Sequence, residues 1–273
     1  MKTLALEEIE LARGAQPILA GGSVTLQSGD VVLLAGENGT GKTTLLECLV
    51  GRLPVDGGRC VCDDATVALE QASWRSRLAY CPASDGTVPF LTVDEHLSLA
   101  ALLVAGPAGE AVGMTQASAL DRAARLADLW GLHGHRSHRA SELSDGLRKR
   151  LSLALMLVSS AELYLLDEPT LSLDAEGVTL LNEALHAIRG SDSAAIVTTH
   201  AISDLAGSAT RRWQLVRGEV GRHGDGRSSE AGESGPGDAA RTSARGSILS
   251  DTDSQAIPSA SPPESGRFAW LFD

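Results

Sequence analysis

The sequence is poor in aromatic residues and in cysteine. Aromatic side chains make up only 3% of its 273 residues, so Ala, Leu and Val must fill most of the core. Four cysteines are present, without the paired spacing that is typical of a zinc site. The closely spaced Cys60 and Cys62 are therefore expected to be reduced and packed, as in a protein of a reducing compartment.

Long basic runs and long apolar runs are also missing. The formal net charge is −12, which disfavours nucleic acid as the main ligand. No uninterrupted apolar run of about 18 residues occurs, so no membrane-spanning helix is predicted. The longest candidate, residues 151–166, is interrupted by polar side chains. Glu7, Glu8 and Glu10 argue against a secretory signal at the start of the sequence.

A glycine-rich turn between an apolar strand and a helix is the strongest motif. Residues 31–35 predict a buried strand and residues 44–50 a helix. Between them the sequence fits G-x-x-x-x-G-K-[ST] from Gly36 to Thr43. Such a loop wraps a polyphosphate with its N–H groups, the lysine reaches the β- and γ-phosphates, and the threonine suits Mg²⁺. The predicted nucleotide-binding residues are Gly36, Glu37, Asn38, Gly39, Thr40, Gly41, Lys42, Thr43 and Thr44.

Two carboxylates follow a second buried strand, residues 163–166. In a chain with a phosphate loop, Asp167 is predicted to hold Mg²⁺, directly or through water, together with Thr43. Glu168 is predicted to orient or deprotonate the attacking water. A third strand, residues 195–199, leaves His200 at its carboxyl end. Ligands of α/β sheets collect at that edge, so His200 is predicted to act with Glu168.

A capped helix is predicted after Leu143. Ser144 is a good N-cap residue, and the helix that it would begin carries an apolar stripe at Leu147, Leu151, Leu155 and Val158. From the residues alone, this is an ordinary amphipathic helix.

Composition changes sharply after Val220. Residues 221–247 contain no Val, Ile, Leu, Phe or Trp, so 221–273 is predicted to be a disordered tail, and deletion of residues 222–273 is expected to leave the rest folded. Residues 213–216, just before it, predict an edge strand. The aromatic residues Phe268, Trp270 and Phe272 leave two alternatives open, namely docking on the chain or a partner, and a frayed terminus.

Together these motifs resemble the ATP-binding cassette family, the nucleotide-binding subunits of ABC transporters. The resemblance covers about residues 1–220, with residues 143–147 as the signature, residues 172–174 as the D-loop and His200 as the switch histidine. It implies an α/β fold, namely a P-loop NTPase core of ABC type with an N-terminal antiparallel β subdomain and a helical subdomain at about 91–160. In the signature, Asp145 and Leu147 stand where the family usually has Gly and Gln.

The resemblance also implies an ATPase that uses ATP and Mg²⁺. In this family two cassettes pair head to tail, as a homodimer or a heterodimer. Each ATP would then lie between one phosphate loop and Ser144 and Gly146 of the opposite signature. Separate membrane-spanning subunits would receive the motion, which places the chain on the cytoplasmic face of the membrane.

Two further departures from the family pattern lie near the expected nucleotide. Ala83 stands where a glutamine is usual, and its methyl group cannot contact Mg²⁺ or water. Arg13 stands where an aromatic residue usually stacks on adenine, a role that a guanidinium plane can also take. Ala83 keeps open the alternative of an ATP-binding module with weak hydrolysis. A soluble cassette ATPase outside transport is the other alternative to a transporter subunit.

Overall fold

The computed structural model describes residues 1–13, 16–84, 86–105, 114–200, 202–219, 245–252 and 266–272. Within these ranges eleven strands join in one mixed sheet. The strands are β1 (Thr3–Arg13), β2 (Gln16–Ala20), β3 (Val24–Gln27), β4 (Val31–Gly36), β5 (Gly57–Cys62), β6 (Ala65–Val67), β7 (Leu78–Cys81), β8 (Leu163–Asp167), β9 (Ala194–Thr198), β10 (Arg211–Glu219) and β11 (Arg245–Asp251). The helices are α1 (Lys42–Leu49), α2 (Ala72–Arg75), α3 (Val93–Ala105), α4 (Gln116–Leu129), α5 (Asp145–Val158), α6 (Ala175–Arg189) and α7 (Ile202–Leu205).

The sheet has a parallel part and an antiparallel part. Its order is β6-β5-β1-β2-β11-β10-β4-β9-β8-β7, and β3 pairs with β1 off this path. Strands β10, β4, β9, β8 and β7 run parallel. Strands β1, β2, β3, β5 and β6 pair antiparallel. This mixed architecture confirms the predicted α/β fold with an antiparallel part near the N-terminus.

The central parallel strands are buried on both faces, as their continuous apolar sequences predict. Alternate residues of β8 enter two different cores. Leu163 and Leu165 pack with α1 and the antiparallel strands, whereas Tyr164 and Leu166 pack with α3, α4, α5 and α6. The sheet therefore separates a core around α1 from a helical core around α3, α4, α5 and α6.

All four cysteines are buried and free, and burial raises the pKa of the Cys48 thiol to about 11 and that of Cys60 to about 12. Across the described residues, no group of three or more His, Cys, Asp or Glu side chains is placed to hold a metal ion. None of the described helices is long and apolar enough to cross a membrane.

Strand β10 is not an edge strand, so that prediction is wrong. It lies between β4 and β11, because residues 245–251 add a strand on the side that was expected to be free. Seven residue pairs join β10 and β11, from Trp213 with Asp251 to Glu219 with Arg245. The apolar residues Ile248 and Leu249 make this segment strand-forming, although polar sequence precedes it.

The prediction of a disordered tail at 221–273 is wrong for two segments. Residues 245–251 form β11, and residues 266–272, here named the docked segment, pack on the helical core. Phe268 and Leu271 are buried there, because their apolar side chains find a complementary site between helices. The remaining residues of the predicted tail, 221–244, 253–265 and 273, lie outside the described residues.

Candidate active site

The predicted site residues meet at one edge of the sheet. Strands β4, β9 and β8 are parallel neighbours, so their carboxyl ends share this edge. The phosphate loop follows β4, His200 follows β9, and Asp167 and Glu168 end β8. A cavity of about 420 Å³ opens here. Its described lining residues are Ile18, Asn38, Gly39, Gly41, Lys42, Thr43, Thr44, Glu168 and His200.

The phosphate loop needs glycine at two positions where space is short. Gly41 precedes α1 in the left-handed region, with φ 98°, and a Cβ there would lie 3.1 Å from Ile18 Cγ2. At Gly36 a Cβ would lie 2.8 Å from the carbonyl oxygen of Leu215. These contacts let the loop run tightly between β2 and β10, so that the first N–H groups of α1 face the cavity.

The Lys42 ammonium group is buried and folded back on its own loop. Its Nζ donates to the carbonyl oxygens of Gly36, at 2.9 Å, and Glu37, at 3.1 Å. The hydroxyl of Thr40 donates to the same Glu37 carbonyl at 2.9 Å. No carboxylate of the described residues forms an ion pair with Lys42, so its charge is available to an anionic ligand.

Asp167 is almost fully buried, at 1% exposure. Its Oδ1 accepts a hydrogen bond from Thr198 Oγ1 at 2.6 Å, whereas the buried Oδ2 has no hydrogen-bond partner within the described residues. Leaving a buried carboxylate oxygen unpaired is costly, and a hard divalent cation would satisfy it. Together with the Thr43 hydroxyl in the cavity wall, this donor set fits Mg²⁺.

Glu168 is held in a strained backbone conformation beside His200. Its φ is 45°, a left-handed value that costs a non-glycine residue on the order of 1–3 kcal/mol. The Glu168 N–H offsets this strain by donating to Thr198 Oγ1 at 2.9 Å and to the Thr198 carbonyl at 3.2 Å. Oε2 accepts from the His200 N–H at 3.3 Å, and Oε1 lies 3.1 Å from His200 Nε2.

Ser144 and Gly146 lie apart from this cavity. Ser144 Oγ accepts from the Leu147 N–H at 3.3 Å, which confirms the predicted N-cap of α5. Gly146 lies against the D-loop, since a Cβ at this position would be 2.9 Å from the Ser172 carbonyl. Within one chain, the structure therefore brings the signature to the D-loop and not to the phosphate loop.

Arg150 joins the signature helix to the D-loop. Its buried guanidinium donates to Asp174 Oδ1 at 2.6 Å, to Glu176 Oε2 at 3.0 Å and to the Trp130 carbonyl at 3.3 Å. Asp174 also caps α6 by accepting from the Gly177 N–H at 2.9 Å. The Arg150 hydrogen bond, followed by the Gly177 N–H, holds the pKa of Asp174 below its usual value. The ends of α4, α5 and α6 are therefore linked through one side chain.

The two other departures from the family pattern have different surroundings. Ala83 is exposed, and its carbonyl and that of Pro82 accept from Lys149 Nζ at 3.2 and 3.0 Å. The Lys149 side chain thus fixes the backbone at the position where the family has a glutamine side chain. Arg13 ends β1, and its side chain lies outside the described residues.

Sequence reasoning missed Thr198 and Ile18. Thr198 forms hydrogen bonds with both Asp167 and Glu168. It is the last residue of β9, two positions before His200, and a polar residue at that position was a usable signal. Ile18 lines the cavity across from the phosphate loop. An isoleucine in a short strand gives no sequence signal for that contact, because its only distinguishing feature is the tertiary position.

A family model described as "ABC transporter" matches residues 19–171. The cytochrome c biogenesis ATP-binding export protein CcmA of Ruegeria pomeroyi is 36% identical over 202 residues, which cover 72% of this chain and 85% of that protein. The protein of the same name from Paracoccus denitrificans is 36% identical over 200 residues, covering 73% and 83%.

Solved structures show the same fold. An ATP-binding subunit of an ABC transporter matches with a TM-score of 0.69 at 23% identity, covering 78% of this chain and 85% of that one. The dimeric post-hydrolysis state of the ATP-binding cassette MJ0796, bound to ADP and Pi, matches with a TM-score of 0.65 at 20% identity, covering 77% and 93%. The family match and the identity to relatives that the chain covers over more than four fifths of their length show that the chain belongs to the ABC transporter family, as a nucleotide-binding subunit that hydrolyses ATP to power transport.

Proposed function

We propose that the chain binds MgATP at this sheet edge, and that Glu168 and His200 carry out hydrolysis. The observation that carries the proposal is the meeting of three groups at one place. The phosphate loop, the Asp167–Glu168 strand end and His200 all reach the same edge, where the buried Asp167 Oδ2 has no hydrogen-bond partner in the described residues and Glu168 Oε1 lies beside His200 Nε2.

The phosphate loop would bind the triphosphate. The N–H groups of residues 39–44 would donate to phosphate oxygens, and Lys42 would exchange its two carbonyl partners for the β- and γ-phosphates. Arg13 is proposed to stack on the base, since it ends the strand that precedes β2.

Thr43 and Asp167 would hold Mg²⁺ through the hydroxyl and the unpaired Oδ2. Bound Mg²⁺ neutralises charge on the phosphates during phosphoryl transfer. Thr198 fixes the other oxygen of Asp167, so the carboxylate is oriented before any ligand arrives.

Glu168 would orient the attacking water and accept its proton. A carboxylate in this role is typically worth about 10²–10⁴-fold in rate. His200 lies on the other side of that carboxylate, 3.1 Å from Oε1. It would hold Glu168 in place and donate to the γ-phosphate as charge develops there.

A second cassette would complete the site. Ser144 and Gly146 stand at the start of α5 and do not line the cavity of their own chain, so the ATP that they contact is proposed to be the partner's. The partner is either a second copy or a different cassette. Membrane-spanning subunits on the cytoplasmic face would receive the resulting motion, and the similarity to ATP-binding export proteins favours an export assembly.

Substituting Glu168→Gln tests this proposal, because it keeps the shape and removes the basicity. The variant is expected to bind MgATP and to release phosphate about 10²–10⁴ times more slowly than the wild type. If ATP persists between two copies, sizing in MgATP will show a dimer that is absent without nucleotide. The matched control, Glu70→Gln, changes an exposed carboxylate and should leave both readouts unchanged.

Phosphate release by Glu168→Gln at the wild-type rate would reject Glu168 as the base. Slow release without an ATP-dependent dimer would keep Glu168 as the base and assign the partner role to a different cassette.

A further inference from the structure

The docked segment contacts the helical core through both charge and aromatic packing. Arg267 donates twice to the buried carboxylate of Glu183 on α6, at 2.7 and 2.5 Å. Phe268 is fully buried, with its ring 5.9 Å from that of Trp130 at the end of α4. These contacts tie one short segment to two different helices.

Three more contacts extend this attachment. The carbonyl of Leu271 accepts from Arg122 Nη1 of α4 at 2.7 Å. The Arg125 guanidinium, also on α4, lies 3.7 Å from the centroid of the Trp270 ring, a cation–π contact. Phe272 packs edge-on against Tyr164 of β8, with ring centroids 6.2 Å apart.

The docked segment therefore contacts elements on both sides of one packing interface. On one side are α4 and, through Arg122, the end of α5, since Arg122 Nε donates to the Leu157 carbonyl at 3.0 Å. On the other side are α6 and β8, whose inward-facing residues share the helical core with α4 and α5. The two sides of this interface must keep their relative positions for all of these contacts to form together.

The same interface is connected to the signature helix α5 through Trp130 and Arg150. Trp130, which packs on Phe268, accepts from Arg150 through its carbonyl, and Arg150 bonds the D-loop residue Asp174. Glu183, which binds Arg267, lies on the helix that Asp174 caps. The docked segment and the D-loop thus hold the same two helical units at different points.

We propose that the docked segment is a clamp that positions the signature helix for ATP hydrolysis. By fixing α4 and α5 on α6 and β8, it lowers the entropy that must be lost when Ser144 meets the ATP of the partner. This inference rests on the proposed function of the signature. Since every described residue that lines the cavity lies outside α3, α4 and α5, ATP binding to one chain should not depend on the clamp.

Charge reversal of the Arg267–Glu183 pair tests the clamp. Arg267→Glu, on a partly exposed side chain, should release the segment without disturbing the sheet. Hydrogen exchange in α4 and α5 is expected to become faster, kcat for phosphate release to fall by about twofold to thirtyfold, and the ATP dissociation constant of the isolated chain to stay unchanged. The double variant Arg267→Glu with Glu183→Arg should restore both exchange and kcat.

Two controls separate the clamp from general destabilisation. Arg59→Glu reverses a more exposed pair with Glu7 on the antiparallel part and should change none of the readouts. Deleting residues 264–273 should reproduce the effect of Arg267→Glu, and its nucleotide affinity reports whether the core stays folded.

Unchanged exchange in α4 and α5 on Arg267→Glu, or an unchanged or increased kcat, would overturn the clamp. Failure of the proposed function is distinguishable, since it would appear as normal phosphate release by Glu168→Gln with the Arg267 pair intact.

Discussion

The sheet edge and the helical region α3–α5 are held by different kinds of contact. At the sheet edge the register of parallel strands and backbone hydrogen bonds place the functional groups, as Thr198 places Asp167 and Glu168. In the helical region long, buried cationic side chains add to the apolar packing and link one element to another, namely Arg122, Lys149 and Arg150.

This difference separates ATP binding by one chain from the arrangement of the composite site, which is the proposed ATP site between two cassettes. A sheet edge built by strand register is rigid, so nucleotide binding is a local property of the core. The polar contacts that orient the helical region are few, and each is worth only a few kcal/mol, so losing one should shift its orientation while the shared apolar core keeps it folded. Single substitutions can change one of the two regions while leaving the other intact.

The largest expected effect is on stability, at the docked segment. Phe268→Ala removes a fully buried ring, which should lower the free energy of unfolding by about 3–5 kcal/mol. Chemical denaturation measures this directly. Phe90→Ala is the matched control, since Phe90 is 70% exposed, and its expected change is within about 0.5 kcal/mol. Equal stability of the two variants would show that the segment contributes little.

On the sheet side, Lys42→Ala should weaken ATP binding. Losing charge-assisted hydrogen bonds to phosphate costs about 1.5–3 kcal/mol, which corresponds to a rise in the dissociation constant of about tenfold to a hundredfold. Calorimetric titration of the isolated chain measures it. The exposed Lys2→Ala should bind like the wild type, and wild-type affinity of Lys42→Ala would contradict the phosphate-loop assignment.

On the helical side, Arg150→Met should lower kcat while leaving ATP affinity unchanged. Its carboxylate partners are solvated, at 67% and 71% exposure, so the cost in unfolding free energy is only about 1–2 kcal/mol. Arg150→Lys keeps the charge but loses the planar fork that serves several partners, and an intermediate kcat is expected. A loss of ATP affinity parallel to the loss of kcat would show that the two regions are not separable.

The smallest effect is expected at Ala83. Ala83→Gln supplies the amide that the family usually has, and Lys149 still holds the backbone through its carbonyls. One added neutral hydrogen bond is worth about 0.5–1.5 kcal/mol, so phosphate release should rise by about twofold to tenfold. Steady-state assays decide this, and a decrease would show that the backbone tether has replaced the glutamine in function.

The same contrast explains what the sequence could predict. The phosphate loop, the acidic strand end and His200 follow apolar strands whose parallel order brings them together, so local pattern was enough to place them. The N-cap at Ser144 was also readable, because its partner lies three residues away.

The contacts that attach the docked segment to the helical region could not be predicted from the sequence, because the contacting residues are far apart in sequence. Arg122 and Leu271 are separated by 149 positions, and Arg267 and Glu183 by 84. Composition marked residues 221–247 as poor in core-forming side chains, but β11 begins at Arg245, and extending the inference to 273 ignored the apolar residues at 248–249 and 268–272. Tertiary packing of these residues produced β11 and the docked segment.

The most direct test of the separation between binding and composite-site hydrolysis is Ser144→Asp. Aspartate keeps the N-cap of α5, but in the proposed dimer it would direct a carboxylate at the phosphates of the partner's ATP, a like-charge contact that costs several kcal/mol. ATP affinity of the isolated chain and phosphate release are measured on the same preparation, with Ser144→Thr as the control. The account predicts wild-type affinity together with a loss of phosphate release of more than about a hundredfold. Wild-type phosphate release, or an equal loss of affinity, would contradict it.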